Sequence, residues 1–389
     1  MTSKGTGVSI IGVGMTQFGE CWDKGLRELM AEAGVKAIID AGVDGPDIDA
    51  VYGGNMSGGR LSGQEHIGAL ISDQSGLTPI PATRVEAACA SGGLALRQAI
   101  LSIMAGEHDI VIAGGVEKMN DVGMSQVTTT LGGAADTDWE AAFGATFPAL
   151  YAMMAKRHMH EYGTTEEQMA AVAVKNHENG AKNPYAQYPF EITIEKVMKS
   201  SPIATPLKLF DCSPVTDGAA AVILARDDVA KKYSDSPIKI LSSAQASDAL
   251  ALHDRASLTE LRAAKFAAKK AYDRAGVTSK DIDLAEVHDC FTIAEILAIE
   301  DLGFFPKGQG GPASAEGKTK RTGEIPINTS GGLKACGHPV GATGIKQAVE
   351  ISWQLRGEAG GRQLENPEIG LSHNVGGSGA TCVVHIYSK

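Results

Sequence analysis

Apolar positions along the chain fall into alternating strand-like and helix-like stretches. Ser9 to Val13 reads as a buried strand. Leu26, Leu29, Met30, Ala33 and Ala37 then recur at helical spacing, and Gly42 stands where that helix should stop. Ile48 to Tyr52 reads as a second strand. Leu96, Ile100, Ile103 and Met104 mark a further helix ending near Ala105, and Ile110 to Ala113 is a continuously apolar run suited to the middle of a sheet covered on both faces. Strands alternating with helices predict an α/β fold.

From about residue 120 to 205 the chain turns polar, Met-rich and helical, with turn signals at Gly163 and at Asn183 to Pro189. This predicts a loop domain inserted into a first half that closes near Ser243. Asp211 to Ala225 resumes with a tight turn and an apolar strand. An internal repeat organises the remainder. Lys36 to Asp49 matches Lys270 to Asp283 without a gap, sharing the Lys-Ala start, the Ala-Gly-Val helix end and the Asp-Ile-Asp strand start. Glycine-rich turns precede a helix in both halves, at Ser91 to Gly106 and Gly341 to Gly357. Each helix leads to a strand ending in Gly-Gly, at Gly114-Gly115 and Gly376-Gly377. The chain therefore reads as a duplicated α/β unit, residues 1–243 and 244–389, with its site where the halves meet.

Composition narrows the class. The 389 residues are 43% hydrophobic with 47 glycines and a net charge of −11, an ordinary globular balance with many turns. No stretch gathers the basic residues of a nucleic-acid or membrane-surface footprint, no apolar run is long enough to cross a bilayer, and the start of the sequence lacks a cleavable signal pattern, so a cytoplasmic protein is expected. The glycines at Gly12, Gly14 and Gly19 do not fit a dinucleotide loop. The six cysteines (Cys21, Cys89, Cys212, Cys290, Cys336, Cys382) include no CxxC pair, which argues against a disulfide framework and against a metal site.

Candidate chemistry begins with VEAACASGG, Val85 to Gly93. It sets Cys89 at a strand-to-helix turn among small residues, where helical amides would favour a thiolate and a substrate carbonyl has room to approach. A lone cysteine on such a turn is more often buried and structural. Three later segments change that reading. HDCFT, His288 to Thr292, follows the strand Leu284 to Val287 and precedes a helix marked by Ile293, Ile296 and Leu297. KACGHPVGATG, Lys334 to Gly344, puts His338 in a glycine-rich loop before a helix. SHNVGGSG, Ser372 to Gly379, reads as a glycine-rich turn between two strands. A cysteine nucleophile needs a base and an oxyanion site, and His338, His288 and glycine-lined backbone offer both.

At these residues the chain resembles the thiolases over its whole length, in the branch of sterol-carrier-protein thiolases and archaeal acetoacetyl-CoA thiolases. VEAACASGG is similar to the family's nucleophile segment, GGLKACGHPVGATG to its GHPxGxxG histidine loop, and DGAAAVIL to its mid-chain strand. The resemblance implies the thiolase fold, a duplicated α/β/α/β/α five-layered core with an inserted loop domain. It implies Claisen condensation of two acetyl-CoA through an acetyl-cysteine, with coenzyme A thioesters as substrates and no tightly bound cofactor. Cys89 would be the nucleophile and His338 its base. Many thiolases carry Asn-Glu-Ala-Phe where this chain has His288-Asp289-Cys290-Phe291, and a second catalytic cysteine in a C-terminal turn where it has Ser372, His373 and Asn374. The sterol-carrier branch makes the same exchange, which moves the second-cysteine role, removal of the substrate α-proton, to Cys290. His288 would join His338 at the enolate oxygen. The amide of Cys89 and one from the Val375 to Gly377 turn, with Gly376 and Gly377 as candidates, would hold the tetrahedral oxyanion.

The resemblance further implies a homodimer or homotetramer and, by analogy with archaeal thiolases, a complex with hydroxymethylglutaryl-CoA synthase and a small zinc-ribbon bridging protein. Two other readings compete. A ketosynthase-like condensing enzyme would share the Cys-His-His set, although HDCF lacks the His-Gly-Thr run such enzymes carry. A non-catalytic acyl-CoA-binding or scaffold subunit would fit alanine at Ala267 and Ala268, before a helix expected from Lys269 to Arg274, where many thiolases place a CoA-contacting serine. The role of His373 and the CoA contacts stay open.

Overall fold

Alternate side chains of one strand sort the molecule into layers. In the computed structural model, which describes residues 5–389, the strand Gly218–Arg226 turns Ala219, Ala221, Ile223 and Ala225 toward the helix Leu26–Ala41. Ala220, Val222 and Leu224 face the opposite way, onto the helices Ser91–Met104 and Thr343–Arg356. A strand buried on both faces must be apolar throughout, which is why Gly218 to Ala225 carries no polar residue.

The strands are β1 Val8–Met15, β2 Ala50–Gly54, β3 Ala82–Val85, β4 Ile110–Glu117, a small hairpin of β5 Pro202–Ala204 and β6 Leu207–Lys208, then β7 Gly218–Arg226, β8 Ile238–Ser247, β9 Leu284–Glu286, β10 Ile369–Gly376 and β11 Thr381–Ser388. Nine of them follow the order β3-β2-β4-β7-β1-β8-β11-β10-β9. β2 runs parallel to β3 and β4, and β9 parallel to β10, while β1, β7, β8 and β11 pair antiparallel with their neighbours. The first five strands of that order and the last four form two sheets, joined through Ser9 opposite Lys239 and Ile10 opposite Ile238. The two central helices fill the space between the sheets. The helix Leu26–Ala41 covers the outer face of one sheet, and the helices Arg262–Ala275 and Thr292–Asp301 cover that of the other. The result is the five-layered α/β/α/β/α order expected from the resemblance.

The sequence repeat has a physical cause in both copies. The helices Leu26–Ala41 and Arg262–Ala275 end at Gly42 and Gly276, with φ of 64° and 71°. Asp49 accepts from the amides of Asp109 and Ile110 at 2.7 and 2.9 Å, and Asp283 from those of Glu368 and Ile369 at 2.8 and 2.9 Å. The recurring aspartate thus ties the start of one strand to the start of its neighbour.

Three expectations are corrected. The helix expected from Lys269 begins at Arg262, so Ala267 and Ala268 lie buried in mid-helix. The alanine-rich face that packs it on β8 and β11 has a period too weak in large apolar residues to mark its start. Ser372, His373 and Asn374 belong to β10, and the turn is confined to residues 377–380. β4 runs past Gly114-Gly115 to Glu117. Between 120 and 205 lie the helices Met124–Gly132, Phe147–Tyr162 and Glu166–Gly180, the second of which packs against β5 and β6. They roof the end of the core where the central helices begin.

Candidate active site

Cys89 stands two residues before the helix Ser91–Met104. Ala88, with φ of 51°, reverses the chain after β3. The Ser91 hydroxyl locks that turn, accepting from the Ala87 amide at 2.9 Å and donating to the Ala88 carbonyl at 2.6 Å. The amides of Gly377 and of Cys89 itself reach the Cys89 sulfur. Even so, burial pushes the thiol up to about 12; the Gly377 amide opposes this and the Glu117 carboxylate adds to it. The depressed thiol expected from a helix start is therefore not found, because desolvation outweighs the helical amides. Cys89 rests as the thiol.

His338 is aimed by its own loop. Its amide donates to Thr216 Oγ1 at 2.9 Å, and its Nδ1 lies 2.7 Å from Thr343 Oγ1. That hydroxyl spends its proton on the Pro339 carbonyl, 3.1 Å away, so it accepts from His338 Nδ1–H. Nε2 is left with a lone pair, the form a base requires. Burial, with Lys346 adding, lowers His338 to about 3, and the ring is neutral at rest.

The loop reaches Cys89 because glycines line the crossing of the two central helices. A Cβ at Gly344 would stand 2.1 Å from the Gly93 amide, and one at Gly92 2.6 Å from the Gly341 carbonyl. Glu117 pins the same crossing from below. It accepts from the amides of Met56, Ser57 and Gly341 at 2.8, 3.0 and 3.1 Å, and from Asn55 Nδ2 at 3.1 Å. Its carboxyl is nonetheless raised to about 7 by burial.

The His288 ring meets the His338 ring edge-on, 5.0 Å between centroids. The Cys89 sulfur and one ring nitrogen from each histidine lie within 4.8 Å of one another, a spacing a cation could bridge. The tautomer argues against it. Asn374 Nδ2 lies 3.2 Å from His288 Nδ1, which must therefore accept, leaving the proton and not a lone pair on Nε2. That Nε2 is buried and has no partner among the described residues, as an oxyanion donor awaiting substrate would be.

Cys290 sits between β9 and the helix Thr292–Asp301, and burial pushes its thiol well above the ordinary range. The Tyr151 hydroxyl hydrogen-bonds to it and lowers it in part. Tyr151, from the helix Phe147–Tyr162, also donates to the Gly377 carbonyl at 3.2 Å and stacks on Phe291 at 4.6 Å. Cys89, Cys290, His338, Tyr151 and Gly377 line one largely apolar cavity of about 340 Å³, walled by Met119, Met124, Leu131, Phe147 and Val340 among others.

Other singled-out residues are placed elsewhere. His373 is fully buried in β10, its Nδ1 3.4 Å from the His288 amide, behind the site and outside the cavity lining. Gly376 ends β10 opposite Thr381, so of the two candidate glycines it is Gly377 whose amide reaches the thiol. Cys336 is buried near Asn183, and Cys21 and Cys382 lie away from the cavity, whereas Cys212 lines it. Reasoning from sequence missed Asn374 as a partner of His288, and missed Tyr151 and Glu117 altogether. The only signal was the place of Asn374, two residues before Gly376-Gly377.

A half-buried cysteine, an imidazole of fixed tautomer and convergent N–H donors meet where two α/β halves join, a set suited to cysteine-dependent acyl transfer. Residues 8–228 match the thiolase N-terminal domain and residues 244–389 the thiolase C-terminal domain-like family. The chain belongs to the thiolase family and is an acyltransferase. It is 59% identical over 382 residues to the acetyl-CoA acetyltransferase of Methanothermobacter thermautotrophicus, covering 98% of this chain and 99% of that one. It is 36% identical over 391 residues to human sterol carrier protein 2, covering 97% of this chain and 71% of that protein. A solved structure described as an Ltp2-ChsH2(DUF35) aldolase superposes with a TM-score of 0.86 at 25% identity, covering 98% of both chains. Among the described residues no helix is long and apolar enough to cross a membrane.

Proposed function

We propose that the protein is an acetyl-CoA C-acetyltransferase that condenses two acetyl-CoA to acetoacetyl-CoA and CoA by a ping-pong route. The observation that carries this reading is that both thiols and the lone-pair nitrogen of His338 serve one cavity, with the His288 N–H beside them. The name of the 59% identical relative supports acetyl-CoA as the substrate.

With Cys89 near 12, almost no thiolate exists at neutral pH, so ionisation accompanies attack. His338 Nε2 takes the thiol proton as Cys89 Sγ adds to the thioester carbonyl. The tetrahedral oxyanion is held by the amides of Cys89 and Gly377. The C–S bond to CoA breaks, Cys290 gives its proton to the departing CoA sulfur, and acetyl-Cys89 remains beside a Cys290 thiolate and a protonated His338. A second acetyl-CoA then loses an α-proton to Cys290, its enolate oxygen held by the N–H groups of His288 and His338. The enolate carbon attacks the acetyl group, acetoacetyl-CoA leaves, and Cys89 recovers its proton from His338. Protons balance over the cycle.

Loss of acetoacetyl-CoA on adding free CoA, with two acetyl-CoA formed, tests the reading. Cys89→Ala should abolish both half-reactions, and Cys290→Ala should block carbon–carbon chemistry while Cys89 is still acetylated, only more slowly because the departing CoA loses its proton donor. No turnover by the folded wild type would count against this substrate class. Turnover of malonyl thioesters instead would favour a ketosynthase-like enzyme, and absence of Cys89 acetylation a binding subunit.

Condensation is uphill and needs a consuming step, so the proposal extends to a cytoplasmic homo-oligomer that hands acetoacetyl-CoA to hydroxymethylglutaryl-CoA synthase through a zinc-ribbon bridging protein, in the mevalonate route. The two-component description of the structurally similar aldolase supports a partner on this fold. Purification of the native protein without either partner would count against it.

A further inference from the structure

The side chain of Asn374 joins pieces from both halves of the chain. Its Oδ1 accepts from the Gly93 amide at 3.1 Å, and its Nδ2 donates to the Cys89 carbonyl at 3.0 Å and faces His288 Nδ1 at 3.2 Å. The Gly93 amide can only donate and the Cys89 carbonyl can only accept, so the orientation of the Asn374 amide is fixed by two independent partners. Reversing it would set donor against donor at Gly93 and acceptor against acceptor at Cys89.

We infer that Asn374 is a positioning residue that holds the His288 proton on Nε2, and that it thereby selects the enolate-stabilising form of that ring. An NH₂ group has no lone pair, so His288 Nδ1 must present one, and neither the Nδ1–H tautomer nor the imidazolium fits this contact. The consequence is visible at the far side of the ring, where the buried Nε2 has no partner among the described residues and the two imidazole rings meet edge to face. Asn374 is itself buried, so water does not compete for its three contacts. The same amide fixes the carbonyl of the nucleophile residue. One side chain thus sets both the turn that carries the attacking sulfur and the donor that meets the second substrate.

The inference rests on the proposed thiolase reaction for its kinetic consequence, but not for the tautomer. ¹⁵N NMR of the histidine-labelled full chain, with His288 assigned by the signal lost in His288→Gln, reads the tautomer without substrate. Wild type should show Nε2 protonated and Nδ1 bare at pH 7, and Asn374→Ala should show a population with Nδ1 protonated. In Asn374→Ala the carbon–carbon step should fall about 100- to 1000-fold, the effect of losing one oxyanion donor. Acetylation of Cys89 should fall by no more than about tenfold, since it does not use the His288 donor. A wild-type His288 protonated on Nδ1, or on both nitrogens, overturns the inference, as does an equal loss in the two half-reactions. Nε2 protonation in a protein that does not turn over acetoacetyl-CoA supports the tautomer and overturns the substrate reading alone. If Asn374→Ala does not fold, the wild-type spectrum still decides.

Discussion

Gly92 packs against the Gly341 carbonyl so closely that an added Cβ would lie 2.6 Å from that oxygen and 3.2 Å from the Gly344 amide. The contact joins the first turn of the helix Ser91–Met104, which follows Cys89, to the loop that carries His338. Gly92→Ala should therefore destabilise the protein by about 1–3 kcal/mol, the usual result of overpacking, although alanine is the better helix former. Activity should fall more than tenfold, because a shift of about 1 Å between Cys89 and His338, the nucleophile and base of the proposed reaction, is costly. Gly34→Ala is the control. Gly34 lies in the helix Leu26–Ala41 with nothing within 4 Å of a Cβ, and the substitution should stabilise by about 0.4–1 kcal/mol. Urea unfolding of both variants beside a thiolysis assay checks the contrast.

The proton inventory of Cys89 and His338 makes a prediction about labelling. Burial holds Cys89 near 12 and His338 near 3, so the resting pair is thiol and neutral imidazole across the neutral range. Iodoacetamide captures thiolate. Alkylation of Cys89 should keep rising through pH 9 and show no plateau near pH 7, whereas a preformed thiolate–imidazolium pair would give a rate already flat at neutrality. Mass spectrometry of the Cys89 peptide over pH 6–9.5 reads this directly.

Much of the fold was legible because its signals are local. Helix faces, apolar strands and the Asp-Ile-Asp repeat each report contacts within one element or between neighbours. Cys89, Cys290, His288 and His338 stood out because each sits at a strand or loop end next to a helix start, in a motif of reactive and small residues. The thiol of Cys89 was misjudged because burial depends on the roof supplied by the loop segment, which no local pattern reports. Asn374 and Tyr151 act on residues far away in the chain, Asn374 on Cys89 and Tyr151 on Gly377. Neither asparagine nor tyrosine is conspicuous until that geometry is known.

Acid should unfold the protein early. Burial holds His338, His373 and His385 near 3 and His177 near 4, and takes His288 well down, against an unfolded value of 6.5. For a group lowered in the folded state the unfolded chain binds more protons, so stability is present above pH 6.5 and is lost as pH falls toward 3. The carboxyls raised by burial, Glu117, Asp289, Asp211 and Asp301, act in the opposite sense between about pH 4 and 7, but the imidazoles outnumber them. The urea midpoint should be level near pH 7.5 and fall steadily from pH 6.5 to 4.5. A midpoint rising over that interval would show the carboxyls dominate.

Tyr151 offers a substitution that separates chemistry from packing. Its ring stacks on Phe291 and is buried, while its hydroxyl reaches Cys290 and the Gly377 carbonyl. Tyr151→Phe keeps the ring. It removes the hydroxyl whose one proton, resting on the Gly377 carbonyl, turns to Cys290 when the thiolate forms, so the Cys290 pKa should rise and the carbon–carbon step should slow about tenfold at pH 7. The loss should shrink as pH rises, and stability should change by about 1 kcal/mol. Exchange of the α-protons of acetyl-CoA with deuterated water, followed across pH, isolates the step assigned to Cys290.

Glu117 accepts three backbone amides and the Asn55 side chain, and one of those amides belongs to Gly341 beside His338. Its two oxygens face donors alone. Glu117→Gln matches the shape but turns an NH₂ toward amides that need an acceptor, leaving buried donors unpaired at about 1–3 kcal/mol of stability. The Gly341 amide lies on the loop that aims His338, so the damage should extend to acetylation of Cys89 as well as to the later step. That pattern differs from the one expected of Asn374→Ala, where the carbon–carbon step suffers first. Burst measurements of Cys89 acetylation, run beside steady-state thiolysis on both variants, distinguish a lost loop anchor from a lost tautomer. Equal acetylation rates in Glu117→Gln and wild type would mean that His338 is held by Thr216 and Thr343 alone.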